Sequence, residues 1–368
     1  RRIGRATLIA LPIVVVFALL LANADPIFGS FLTLPDIRID VLLSHVFVAG
    51  FFTWIVAGWL RRSLLARAGD TAAPATTLSF TLGTTDVAFA LGALDVLFAA
   101  FVAAQLGWLF GGEALVRRTT GLSYAQYARH GFFELMWVAG LLLPLLLGAQ
   151  ALIPESDGRT RRTYRRLAVP LVVLLGAIIV SAGARMKLYV HYYGISTDRL
   201  YASAVMVWLA VVFVWFAFTV LRSRPRAFAA GMVGSGFAVL LTLNALNPDA
   251  LVARANLARD AAGQTGTAGS DYRYVASLGG DAIPAVVAAL TAPAAAVDSA
   301  TAADRCAAAK IVLDRWTGEK RARASHSWTQ WNAARSGAMA AVQAHEGELR
   351  RLACAESSDK GARPGSPD

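Results

Sequence analysis

The chain predicts an all-α fold: a polytopic helical membrane bundle of about seven spans with a small C-terminal helical domain. Three observations predict it. Hydrophobic residues make up 56% and charged residues 16% of the 368 positions, with a mean hydropathy of +0.52, against about 45–50% and about 25% in soluble domains. The apolar residues gather in runs of about 18 or more, the length a helix needs to cross a bilayer. The basic residues gather between those runs. Residues 1–247 hold 21 Lys/Arg against 11 Asp/Glu, whereas 248–368 hold 14 against 13. A net charge of +11 distributed in this way follows the positive-inside rule and lacks the basic face of a nucleic-acid binder, so no nucleic acid is expected as partner.

The first apolar run, 6–22, follows Arg1, Arg2 and Arg5. It reads as a retained span, although Ala22-Asn23-Ala24 also fits the cleavage site of a signal peptide. A second span follows closely and the chain opens without Met, so further residues are expected upstream. A short loop, 25–40, carries Pro26 and Pro35 and leads to the second span, 41–60, which ends at Arg61, Arg62 and Arg67. Asp86 is placed as the N-cap of the third span, 87–110, and Gly111-Gly112 as its end. Ser123-Tyr124-Ala125-Gln126 has capping-box form and starts the helix that enters the fourth span, 131–153. Residues 154–166 form a loop with five arginines, Arg159, Arg161, Arg162, Arg165 and Arg166, before the fifth span, 167–184.

After that span comes the densest polar stretch of the membrane part, ARMKLYVHYYGISTDRLY over 184–201. Gly194 suits a helix C-terminus and Thr197 the next N-cap. The sixth span is 200–221, and the seventh, 227–246, contains Gly231, Gly234, Ser235 and Gly236, small residues that allow close helix packing. Alternate sides then carry 14 and 7 Lys/Arg, which orients the polar stretch outward; only the loop 111–130, with Arg117, Arg118 and Arg129, votes the other way. The chain divides into the bundle, 1–247, an extramembrane helical domain, 248–356, and a disordered tail, 357–368. Helical runs are expected over 249–259, 272–290, 300–317 and 328–355, and Asn247-Pro248-Asp249 reads as a helix start with a cap. The only two cysteines, Cys306 and Cys354, form a candidate disulfide in an outer compartment.

Three polar clusters fall on one membrane face in this topology. Tyr127, His130 and Glu134 share a helical stripe by spacing. The polar stretch supplies Arg185, Lys187, His191, Asp198 and Arg199. Asp249, Arg254 and Asn256 follow the last span. Arginine holds phosphate or carboxylate in a fork while Tyr and His direct hydrogen bonds, so the set suits an anionic or lipid head-group ligand. The plainer reading is that Tyr, Lys and Arg anchor span ends at the interface. Asp95 lies inside the third span, where a carboxylate is costly; it either carries a proton or bonds a neighbour such as Asn244 or His45. No Walker loop, nucleophile elbow or His-Glu-x-x-His motif is present, and neither a metal nor a cofactor is expected.

Four fragments taken together, SYAQYARHGFFEL (123–135), YGISTDRLYA (193–202), NPDALVARANL (247–257) and DYRYVASLGGDAIPAV (271–286), resemble a bacterial family of multi-pass membrane proteins. That family is known only as a domain of unknown function (the 4153/4173-like group). The resemblance implies a membrane fold in a bacterial inner membrane and brings no substrate or catalytic residue. The function expected is non-catalytic binding, sensing or assembly in the envelope, through an outward-facing polar site and with membrane lipid as a partner. Two rivals remain. One is a proton-coupled transporter using Asp95. The other is an enzyme acting on a lipid-linked phosphate, with Glu134 and His191 as acid and base and Arg185 and Arg254 on the phosphate.

Overall fold

The computed structural model describes residues 2–30, 81–120, 131–222, 225–263, 271–292, 299–317 and 332–353. Among these every regular element is helical, as the composition predicts. The membrane part consists of α1 (Arg2–Ala24), the short α2 (Pro26–Ser30), α3 (Thr84–Thr120), α4 (Phe132–Ala151), α5 (Gly158–Tyr193), α6 (Thr197–Thr219) and α7 (Pro225–Leu246). The C-terminal part holds α8 (Pro248–Ala261), α9 (Tyr272–Ser277), a 3-10 turn (Gly280–Ala282), α10 (Ile283–Thr291), α11 (Ser299–Trp316), α12 (Ala333–Ala344) and α13 (Glu346–Leu352). Six described helices are long and apolar enough to cross a membrane. The expected second span, 41–60, lies outside the described residues.

The chain forms two compact units. One comprises Arg1–Leu188 and Met206–Ser235, the other Tyr189–Val205 and Gly236–Asp368. In the first, α1 packs along α3 and α4, with Phe17 against Phe98 and Phe28 edge-on to Phe101. Leu142, Leu146, Leu171 and Leu175 are buried on α4 and α5. Elsewhere in this unit a Cβ on Gly231 would lie 2.0 Å from Trp215 Nε1, so that glycine allows a close approach, whereas a Cβ on Gly234 would meet nothing within 4 Å. Outward-facing valines and phenylalanines such as Val173, Val180 and Phe218 are exposed, as expected of helices whose solvent is lipid.

Several helix boundaries differ from the sequence-based expectation. Asp86 is not the N-cap of α3 but lies in its first turn, where Oδ2 accepts from the Gly83 N–H at 2.9 Å and the carboxylate also pairs with Arg5. That is the reciprocal half of a capping box. Gly111-Gly112 does not end α3, which continues to Thr120; a glycine costs a helix only about 1 kcal/mol. The expected loop of arginines is itself helix. Asp157 caps α5, accepting from the Thr160 N–H at 3.0 Å and its hydroxyl at 2.6 Å, bonds that hold its carboxyl below the ordinary value. Arginine is also a good helix former, and the Tyr164 hydroxyl ties the turn to the Leu146 carbonyl at 2.9 Å. Thr197 opens α6, while Ser196 caps it by accepting from Arg199 N–H at 3.3 Å.

The second unit has its own core, built from Val275, Ile283, Val286, Val312, Val342 and Leu349 among others. Two of its expected helices are divided. The run 272–290 breaks after Ser277, where Leu278 and Gly279 are extended (ψ 177° and 174°) and the Gly279 N–H is taken by Asp249 Oδ2 of α8 at 3.0 Å. The run 328–355 breaks at His345, and its Trp328 and Trp331 lie outside the described residues. Asn247 does precede α8, with φ 54°, but its side chain makes no capping bond.

Candidate functional site

The polar stretch after the fifth span becomes a tightly bonded junction between α5 and α6. The last carbonyls of any helix lack an intrahelical donor, and the helix dipole makes that end attractive to cations. Here two arginines fill that role. Arg259 of α8 donates to the carbonyls of Val190 (3.1 Å) and His191 (2.8 Å). Arg199 of α6 donates to those of Tyr193 (3.1 Å) and Gly194 (2.5 Å), with its guanidinium 4.0 Å over the Tyr189 ring.

Gly194 turns the chain with φ 75°. A Cβ there would meet Arg259 Nη1 and Asn256 Oδ1 at 2.9 Å and Asp271 Oδ2 at 3.1 Å, so a glycine is required by space as well as by conformation. The next residue is held by its peptide. Asn256, 3% exposed, donates from Nδ2 to the Ile195 carbonyl (2.7 Å) and accepts at Oδ1 from the Ile195 N–H (2.9 Å). The Tyr274 hydroxyl accepts from the Thr197 N–H at 3.0 Å, and Asp249 accepts from the Gly279 N–H at 3.0 Å. Burial raises the Asp271 carboxyl above its ordinary value; Arg259 and Arg199 oppose the shift and Asp260 and Asp304 add to it.

A second polar node lies in the other unit. Arg185 and Asp25 are each only 1% exposed and form an ion pair. Arg185 Nη1 also donates to the Ala24 carbonyl at 3.2 Å. Asp25 Oδ1 caps α2 through the N–H groups of Ile27 (2.8 Å) and Phe28 (3.2 Å). Gly131, φ 78°, lies so close to this corner that a Cβ would fall 1.8 Å from the Ala24 carbonyl oxygen.

The expected site residues therefore divide. Asn256, Arg199 and Asp249 are engaged with backbone in one unit, and Arg185 is paired with Asp25 in the other. Lys187, His191, Asp198 and Arg254 are exposed, and Glu134 is half-buried. Tyr127 and His130 lie outside the described residues, as do Cys354 and His45. Asn244 is exposed. Asp95 has both carboxylate oxygens shut off from solvent with no hydrogen-bond partner among the described residues. Cys306 is disulfide-bonded. Among the described residues no three His, Cys, Asp or Glu side chains group as metal ligands.

Arg259, Asp271, Tyr274, Asp25 and Gly131 were not among the expected site residues. Their signal was indirect. A buried arginine needs a counter-charge, and Asp25 is the carboxylate that ends the first apolar run. A model of the family described as Domain of unknown function (DUF4153) matches residues 1–289. No curated protein and no solved structure matches the chain.

Proposed function

This chain belongs to the DUF4153 family and is a multi-pass membrane protein, and from that premise we propose a non-catalytic role in the bacterial cell envelope: binding, sensing or assembly. One observation carries the reading. The groups best suited to chemistry at the α5–α6 junction are committed to peptide groups: Asn256 to Ile195, Arg259 to Val190 and His191, Arg199 to Tyr193 and Gly194. Such an arrangement makes a rigid platform rather than a reaction centre. His191, Asp198 and Arg254 remain exposed around it and supply the surface for an anionic or lipid head-group ligand, or for a protein partner.

The platform is placed on the extracytoplasmic face of the inner membrane, with the C-terminal unit. Two observations support that side: the two-to-one excess of Lys/Arg on the opposite loops, and the disulfide at Cys306, which suits an oxidising compartment. The test is complementation in a host lacking the gene. The triple variant His191→Ala, Asp198→Ala, Arg254→Ala is expected to accumulate normally and lose function; full function would sink the surface.

A membrane enzyme is disfavoured, since the ion pair with Asp25 leaves Arg185 unable to meet a phosphate. A proton-coupled transporter is the second reading, because Asp95 is a shielded carboxylate without a bond among the described residues. Proton-dependent uptake abolished by Asp95→Asn is its signature, and uptake indifferent to that change removes it.

A further inference from the structure

The N-terminal turns of α5 carry a cluster of arginines. Arg161, Arg162, Arg165 and Arg166 line, with Gly158 and Val169, a cleft of about 640 Å³. Among the described residues no carboxylate pairs with any of them, and Arg161 Nε, shut off from solvent, has no hydrogen-bond partner there. A cluster of like charges at one site repels itself unless a counter-charge joins it.

The geometry of α5 says where that counter-charge comes from. At 3.6 residues per turn, Arg162, Arg166, Val169, Val173 and Val180 fall on one stripe. The three valines are 48%, 67% and 73% exposed. Gly176 lies beside the same stripe, with nothing within 4 Å of where its Cβ would be. From Arg166 to Gly176 the helix rises about 15 Å, half of a bilayer core about 30 Å thick. With the apolar run of α5 set in a bilayer core, Arg162 and Arg166 would lie above an exposed apolar strip one leaflet deep. A soluble anion would use only the upper part.

We propose that this stripe is a binding site for an acidic glycerophospholipid, its phosphate held by Arg162 and Arg166, with Arg161 and Arg165 adding charge, and an acyl chain lying along Val169 and Val173. Guanidinium groups suit a phosphate because they donate in a fork and keep their charge at the membrane surface. The site is separate from the α5–α6 junction and does not depend on the role proposed for it.

The test titrates short-chain phosphatidylglycerol into the purified full chain in a zwitterionic detergent and follows the thermal unfolding midpoint. The midpoint should rise with phosphatidylglycerol and not with phosphatidylcholine. With each arginine near a charged surface contributing on the order of 1 kcal/mol, the apparent affinity of Arg162→Gln/Arg166→Gln should be roughly 30-fold weaker. Arg162→Lys/Arg166→Lys, which keeps the charge, should restore most of it. The starting midpoint of the Gln variant shows whether it folds; these side chains bond nothing in the described structure. Equal affinity in wild type and Gln variant overturns the proposal, as does an equal response to phosphatidylcholine. Full competition by glycerol phosphate assigns the arginines to a soluble phosphate and overturns the lipid.

Discussion

At the scale of single residues, the buried ion pair is where the chain is most sensitive. Arg185 and Asp25 are both nearly inaccessible, so removing either leaves a charge in an apolar bundle, at about 3–5 kcal/mol. Asp25→Ala and Arg185→Met should each lower the unfolding midpoint in detergent. The double variant should be closer to wild type than the two losses added together, because neither charge is then stranded. A simple sum of losses would show that the partners act independently. Gly131→Ala should destabilise by roughly 1–3 kcal/mol or more, since the new methyl meets the Ala24 carbonyl oxygen in a left-handed conformation. Glycine-to-alanine at Gly140, where a Cβ meets nothing, is the control. Neither Asp25 nor Gly131 announces its role in the sequence, because both act through a carbonyl or side chain more than a hundred residues away.

At the scale of elements, the described helices of the membrane part were legible and their ends were not. Hydrophobic runs report where a helix is buried in lipid, not where its hydrogen bonding stops. Thus α5 extends nine residues N-terminal of its apolar run, over arginines that favour helix but not hydrocarbon. The run 272–290 looked continuous because its break depends on Asp249 reaching Gly279 from α8. The α5–α6 turn was readable at Gly194, whose conformation the sequence marks, whereas the two-point grip of Asn256 on Ile195 was not. Asn256→Ala should cost about 2 kcal/mol, since two half-buried peptide groups lose their partner, and hydrogen exchange at Ile195 should quicken by more than exchange in α10. Unchanged exchange there would remove Asn256 from the platform.

At the scale of the whole molecule, composition and charge placement pointed to a membrane protein, and six described helices are long and apolar enough to cross a membrane. The residues expected to share a site fall in both units, Glu134, Arg185 and Lys187 in one and His191, Arg199, Asp249 and Asn256 in the other. Solution pH offers a check on the second unit. Burial raises Asp271, so the folded state holds that proton more tightly than the unfolded chain. Its contribution is favourable when protonated and is lost as pH rises through the raised value. Asp271→Asn should therefore raise the unfolding midpoint near neutral pH, and the difference should shrink as pH falls into the carboxylate range. A midpoint lower than wild type at neutral pH would mean that attraction to Arg259 and Arg199 outweighs burial.

The length of α5 has a mechanical consequence. Its 36 residues make a rod of about 54 Å, nearly twice the thickness of the hydrocarbon core. One end carries guanidinium groups with no carboxylate partner among the described residues; the other is clamped by Arg199 and Arg259 onto its final carbonyls. A rod of this kind bends most easily at Pro170, where one backbone hydrogen bond is missing.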